Sequence, residues 1–211
     1  MPSAVIARET RGSGRLYLFR TYFHPPSNSS CGINHGVPIW QVARATSAAP
    51  TYFNPISINK KTFIDGGMGS NNLSMVACKE VESMDEYLKT FQKQPNYQSG
   101  PQIQSLGIGI MVSIGSGKSR ISEKSYGKES VTHEDVARQL KGATYFRLNV
   151  DNGLQDIRFD ECEMRVVGGK RINVTLDKIR AATETYLAKP EVVALIRNCA
   201  KELVVRRRPH I

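Results

Sequence analysis

The sequence predicts an α/β fold, and three stretches carry that expectation. Ser105-Leu106-Gly107-Ile108-Gly109-Ile110-Met111-Val112-Ser113-Ile114 is almost unbroken apolar sequence, as expected of a strand buried on both faces of a parallel sheet. Val174–Leu187 and the segment opening at Pro190 repeat apolar residues at helical spacing. Between Trp40 and Leu73, a small-residue helix, a short strand and a glycine turn follow one another. Helices interleaved with strands make an α/β chain.

In chain order, residues 1–14 are polar and contain Gly and Ser, so they are expected to fray. Arg15–Tyr22 is aromatic and apolar and reads as a strand. Pro25–Ser30 has nothing to bury and reads as a surface loop. Pro38 suits the first turn of a helix, where a missing N–H costs nothing. That helix aligns Trp40, Ala43 and Ser47 on one face. Ala45, Ala48 and Ala49 keep it slim enough to lie close on a sheet, and Pro50 stops it. Thr62–Ile64 is a short strand leading to Asp65, and Leu73–Met84 has the spacing of an amphipathic helix. Tyr97–Pro101 reads as a linker, 115–135 as polar and flexible, and Tyr145–Val150 as a further strand with a polar connection behind it. Of the last two helices, the first aligns Leu176, Ile179, Ala182 and Tyr186. The second aligns Val192, Val193, Ile196, Cys199, Ala200 and Leu203.

Composition narrows the function classes. A chain of 211 residues, 40% apolar and 23% charged, can build one domain with a real core. No apolar run reaches the roughly 18 residues of a membrane span, and the first residues lack the pattern of a signal peptide, so a cytoplasmic location, free or peripheral to membranes, is the expectation. Cys31, Cys78, Cys162 and Cys199 and the four histidines have no zinc spacing, and neither metal nor cofactor is implied. Cys78 and Cys199 fall on helix faces, where free thiols behave as small hydrophobes. The net charge of +10 favours an anionic partner, nucleic acid or lipid headgroups. Only Arg206-Arg207-Arg208 forms a basic run, and no alternation of aromatic and basic residues offers stacking platforms, so nucleic acid is not expected. Gly115-Ser116-Gly117-Lys118-Ser119 resembles a phosphate loop only in part. The position of its first glycine is Val112, inside the strand.

Asp65 is the chemically pointed residue. It sits where a loop leaves a strand end, followed at once by Gly66 and Gly67, which remove Cβ atoms that would hold a neighbour away. Taken alone, Asp-Gly is a common turn, and an aspartate there can cap the next helix. The surrounding residues favour more. Trp40-Gln41-Val42-Ala43-Arg44-Ala45-Thr46-Ser47-Ala48-Ala49-Pro50-Thr51-Tyr52-Phe53, then Asp65-Gly66-Gly67, then Asn71-Asn72 resemble the patatin-like phospholipase family. That family carries W-x-x-A-R-A-T-S-A-A-P-T-Y-F, then D-G-G or D-G-A, then N-N-P; Leu73 replaces the proline. Ser113-Ile114-Gly115-Ser116-Gly117 is similar to its S-L-G-T-G turn. Tyr145–Val150, with Gly153-Leu154 and Asp156-Ile157 behind, resembles the late strand of fungal members.

The resemblance implies a three-layer α/β sandwich with a largely parallel central sheet, and a lipid acyl hydrolase working through a Ser–Asp dyad. A serine hydroxyl would attack the ester carbonyl, a carboxylate would move its proton, and backbone N–H groups would hold the oxyanion. Asp65 matches the dyad aspartate, with Phe63-Ile64 as its desolvating surroundings. Gly66, Gly67, Asn71 and Asn72 support the motif. The nucleophile elbow G-x-S-x-G occurs nowhere in the 211 residues, nor does the family's glycine-rich oxyanion segment. Ser119 comes nearest, with Gly117 two before it but Ile121 two after.

The expectation is therefore the C-terminal part of a patatin-like domain over 15–188, followed by a helix and basic tail over 189–211. The missing N-terminal half, or additional domains, would be partners, and a lipid ester at a membrane or micelle surface the substrate. Without the nucleophile strand, Thr62–Ile64 and Leu106–Ser113 are expected to lack neighbours, leaving the chain poorly stable or prone to associate. The competing expectation is a catalytically dead remnant that binds protein or anionic membrane through its charge.

Overall fold

The computed structural model describes residues 3–10, 14–22, 24, 36–68, 73–93, 107–117, 133–140, 143–158 and 160–207. The loop at Pro25–Ser30, the linker at Tyr97–Pro101, residues 118–132 of the polar stretch, and the motif positions Asn71 and Asn72 lie outside them. The chain is mixed α/β and divides into two compact units, Met1–Gly107 with Tyr126–Thr132, and Ile108–Ser125 with His133–Ile211.

The first unit holds a four-stranded antiparallel sheet ordered β2-β1-β4-β3. Its strands are β1 (Ala4–Glu9), β2 (Leu16–Arg20), β3 (Ile56–Ile58) and β4 (Lys61–Asp65). Residues 4–9 do not fray. They pair β2 from Ala4↔Arg20 to Arg8↔Leu16 and β4 at Ala7↔Asp65 through Glu9↔Phe63. Ile6 and Ala7 are buried on opposite sides of the strand, so two-sided cover holds a segment whose flanks are polar.

Helix α1 (Ile39–Thr46) starts directly after Pro38, as the proline requires, and ends before Pro50. Its buried contact is not through Trp40. Ile39 and Trp40 are 87% and 65% exposed, whereas Ala45 is wholly buried among Ala7, Phe19, Ile58 and Phe63, with Val42 packed beside them. The alanine lets the helix approach the sheet, and the larger side chains are left on its outer side. Tyr17, Phe19 and Phe63 meet with ring centroids 4.9–5.3 Å apart, tilted or edge-on as aromatic quadrupoles prefer. Burying Phe63 contributes on the order of 1.5–3 kcal/mol.

The turn after α1 holds Thr51 at φ 75°, with the amides of Tyr52 and Phe53 both donating to the Ala49 carbonyl. A β-branched residue in the left-handed region is strained by about 1–3 kcal/mol, and glycine there would forfeit about 0.5–1 kcal/mol in chain entropy. Thr51→Gly is expected to raise stability by about 1 kcal/mol, read as a higher urea midpoint at unchanged slope.

Helix α2 (Ser74–Gln92) begins where the spacing predicts and runs further than Met84. Cys78 is fully buried on it; burial, with the nearby Glu82 charge, pushes its thiol upward and leaves it inert. Strand alternation sends Arg20 out of the sheet face opposite Phe19, and there it meets Glu80 of α2.

In the second unit, β5 (Ile110–Ile114) and β6 (Thr144–Leu148) pair in parallel, from Ile110↔Thr144 to Ile114↔Leu148, with α3 (His133–Gln139) between them in the chain. Among the described residues, the parallel pairing expected of a largely parallel central sheet is confined to these two strands. Nor is β5 buried on both faces, since Val112 and Ile114 are exposed, although Ser113 beside them is buried. Val136, Leu140, Phe146 and Val150 supply buried apolar contact. Residues 174–187 form α4 as the spacing predicts, capped by Asn173, whose side chain accepts from the Leu176 amide at 2.9 Å. Leu176 and Ile179 of the expected face are exposed; Ala182 and Tyr186 are the members that make contact. Helix α5 (Pro190–Arg207) starts on its proline and buries Val192 and Cys199, while Val193, Ile196 and Leu203 stay exposed. A hairpin of β7 (Met164–Val167) and β8 (Lys170–Asn173) precedes α4.

Candidate active-site carboxylate

Asp65 is the last residue of β4, and both edges of that strand are taken. Its neighbours are β1 and β3, so the strand expected to lack partners has two. The Asp65 amide donates to the Ala48 carbonyl at 3.0 Å, which ties the strand end to the segment just after α1. Thr46 adds a second tie, its hydroxyl donating to the Ile6 carbonyl at 2.5 Å. The small residues of the 43–49 stretch are therefore legible in physical terms. Ala45 and Ala48 have no exposed surface, and nothing larger would let the helix end and strand end meet.

The carboxylate itself is half-buried. Oδ1 accepts from the Gly67 amide at 2.7 Å, a two-residue side-chain turn of the kind aspartate commonly makes. Among the described residues the other oxygen accepts no hydrogen bond. One oxygen is thus engaged in the turn. Gly66 and Gly67 open a 3-10 turn, Gly66–Met68. The absence of a side chain at Gly66 serves the protein rather than a ligand: a Cβ there would stand 2.8 Å from the Ile6 carbonyl oxygen and 2.5 Å from its Cγ1. Backbone cannot yield cheaply, so Gly66→Ala is expected to cost about 1–3 kcal/mol, measured by chemical unfolding. Arg8 closes the far side of this turn, its Nη1 donating to the Met68 carbonyl at 2.8 Å. Asn71 and Asn72, next along the motif, fall outside the described residues.

Arg44, inside the sequence block singled out above, organises a neighbouring turn. Its Nη2 donates to the Asn54 carbonyl at 2.7 Å and its guanidinium lies 5.0 Å from the centroid of the Phe53 ring. With Thr51 and Tyr52 these residues line a hollow of about 280 Å³.

The glycine turn after β5 is occupied by protein contacts. The Gly115 amide donates to the Leu148 carbonyl at 2.8 Å and the Gly117 amide to the Asn149 side chain at 2.8 Å, so neither is offered to a phosphate. Gly153, at φ 92°, passes so close to α4 that a Cβ would meet that of Ala182 at 2.8 Å.

Strands β2, β3 and β4, the small-residue helix and the aspartate turn fall within one stretch that known proteins share. A family model described as patatin-like phospholipase matches residues 8–77. That stretch resembles the family. The chain is also similar, at 28% identity across 82% of its length, to patatin-like phospholipase 1 of Plasmodium falciparum, of which it spans 28%. It is 31% identical over 120 residues to the mouse 85/88 kDa calcium-independent phospholipase A2, covering 52% of this chain and 13% of that protein. A cGAMP-activated phospholipase of Pseudomonas aeruginosa is 28% identical over 84% of this chain, which spans 53% of its length. The chain thus represents only part of each of these relatives. The matched stretch begins near the end of β1 and stops inside α2, so it contains β2, α1, β3, β4, Asp65 and the turn that follows. No described helix is long and apolar enough to cross a membrane.

Proposed function

We propose that the patatin-like segment contributes the carboxylate of a lipid acyl hydrolase, with Asp65 as the general base of a Ser–Asp dyad. The supporting observation is the Asp65 side chain: fixed by the Gly67 amide through Oδ1, half-buried, with its second oxygen uncommitted at the end of a strand held on both edges. A base must be positioned before it can be efficient, and this carboxylate is held by backbone rather than by mobile side chains. The serine comes from polypeptide other than these 211 residues, which contain no G-x-S-x-G. In that reading α1 and α2, on opposite faces of the first sheet, belong to a three-layer sandwich, and 15–188 is the C-terminal part of one patatin-like domain followed by the helix and basic tail of 189–211. The substrate is a lipid ester presented at a membrane or micelle surface.

The test joins this chain to polypeptide bearing an in-frame G-x-S-x-G and assays it on a fluorogenic phospholipid and a short-chain ester. Cleavage that disappears in Asp65→Ala supports the assignment. Cleavage undiminished in that variant removes it and leaves the non-catalytic reading, binding to protein or to an anionic membrane.

A further inference from the structure

The β7–β8 hairpin stands exposed. It turns on Gly168-Gly169, both left-handed at φ 56° and 77°, the pair that matches strand twist in a two-residue hairpin. Met164 through Ile172 are exposed, so neither face of the ribbon is covered, and a lone two-stranded hairpin has little stability of its own. Its base is nevertheless fixed. The Glu163 amide donates to the Thr175 hydroxyl at 2.9 Å, the Val174 amide donates to the Glu163 carbonyl at 2.8 Å, and the last residue of β8 caps α4.

The chemistry changes from base to tip. Carboxylates gather at the base and are paired there: Glu163 with Arg165 at 2.7 Å and with Lys178 at 3.3 Å, and Asp160 with Arg158 at 3.0 Å. At the tip, Lys170 and Arg171 have no ion pair among the described residues. Across the strands, Val166 stands opposite Arg171 and Val167 opposite Lys170, with the valines 71% and 58% exposed. Directly paired residues share a face, so at the tip each face carries one valine and one cation. The two valines of β7 and the two cations of β8 stand side by side at the same end.

We propose that this tip, Val166–Arg171, docks on an anionic lipid surface, with the valines entering the boundary between headgroups and acyl chains and the two cations reaching lipid phosphates. A bilayer surface supplies both environments within the length of one side chain, and long basic side chains span them readily. The charge is complementary, and the net +10 of the chain favours the approach. The proposal leans on the lipid-hydrolase reading only for the choice of lipid among anions.

Sedimentation of the full 211-residue chain with vesicles tests it without any need for hydrolysis. Binding is expected to vesicles of phosphatidylcholine with phosphatidylserine, to be weak on phosphatidylcholine alone, and to fall as salt is added. The double variant Lys170→Gln, Arg171→Gln should bind about 30-fold more weakly, from two lost cations near the surface. Val166→Asp with Val167→Asp should lose binding even at low salt. Neither pair should shift the thermal midpoint, because the tip covers nothing, and Lys201→Gln, exposed on α5, should bind within about twofold of the parent. Tip variants that bind like the parent, or a parent chain that ignores anionic vesicles, overturn the proposal. So does a tip substitution that abolishes self-association in light scattering without changing vesicle binding, since the occupant would then be a second copy. A chain that docks but carries an Asp65 dispensable for ester cleavage leaves the docking intact and removes only the catalytic assignment.

Discussion

Replacing Glu80 by alanine is expected to cost about 3–5 kcal/mol of folding stability, the largest effect of any single substitution considered for this chain. Glu80 on α2 holds Arg20 of β2 through both carboxylate oxygens, Oε1 to Nε and Oε2 to Nη2 at 2.8 Å, and Tyr22 donates its hydroxyl to Oε1 at 3.0 Å. His24 lies 3.6 Å from Oε2. The Arg20 and Glu80 side chains are almost wholly removed from water. Truncation at Glu80 leaves the guanidinium buried without its counter-charge, and that desolvation is what the substitution exposes. Burial by itself would raise the Glu80 carboxyl; the hydrogen bonds from Arg20 and Tyr22, with the Arg20 charge, outweigh it and hold the group below the ordinary 4.5. A carboxyl depressed by folding contributes stability that is complete above its unfolded value and is lost as pH falls through the folded one. Urea unfolding at neutral pH should therefore show the full loss in Glu80→Ala. Parent and variant should converge as the pH drops below 4.5. A difference that persists unchanged into acid would contradict the ion-pair account.

The second large effect is on activity. In the serine-bearing protein described above, Asp65→Asn is expected to lower ester turnover by about 100- to 10,000-fold, the usual contribution of a positioned general base. The substitution is chosen because the asparagine carbonyl can still accept from the Gly67 amide, so the turn survives and stability should change by no more than about 0.5 kcal/mol. What is lost is the ability of the second oxygen to take a proton. A kcat that falls with KM and unfolding midpoint unchanged would identify the carboxylate as acting on the reaction. Equal losses of stability and rate would make Asp65 only a turn residue.

The parts of the fold that could be read beforehand are those whose causes are local. Helix α4 has a capping Asn173, a helical period and a proline soon after, and its limits follow. Asp65 at a strand end follows from a short apolar run broken by two glycines. What could not be read is what depends on distant partners. Strand β1 sits in a polar neighbourhood and is made by β2 on one side and β4 on the other. Arg20 and Glu80 are separated by 60 positions, and nothing near either announces the other. The helical period puts Trp40, Ala43 and Ser47 on one face of α1 without saying which face meets the sheet; Ala45 does, because close approach excludes a large side chain. At the candidate site, the residue could be named in advance. Which carboxylate oxygen the turn consumes, and that Gly66 makes room for Ile6 rather than for a ligand, required coordinates.

Strand β4 lies between two neighbours, and its last amide is bound to the end of α1. Interior strands exchange their amide hydrogens only through the rarest openings, so the acid group shares the lifetime of the whole sheet and is not retired by fraying. Hydrogen exchange should accordingly find the Asp65 amide, bound to the Ala48 carbonyl, among the slowest of the first sheet.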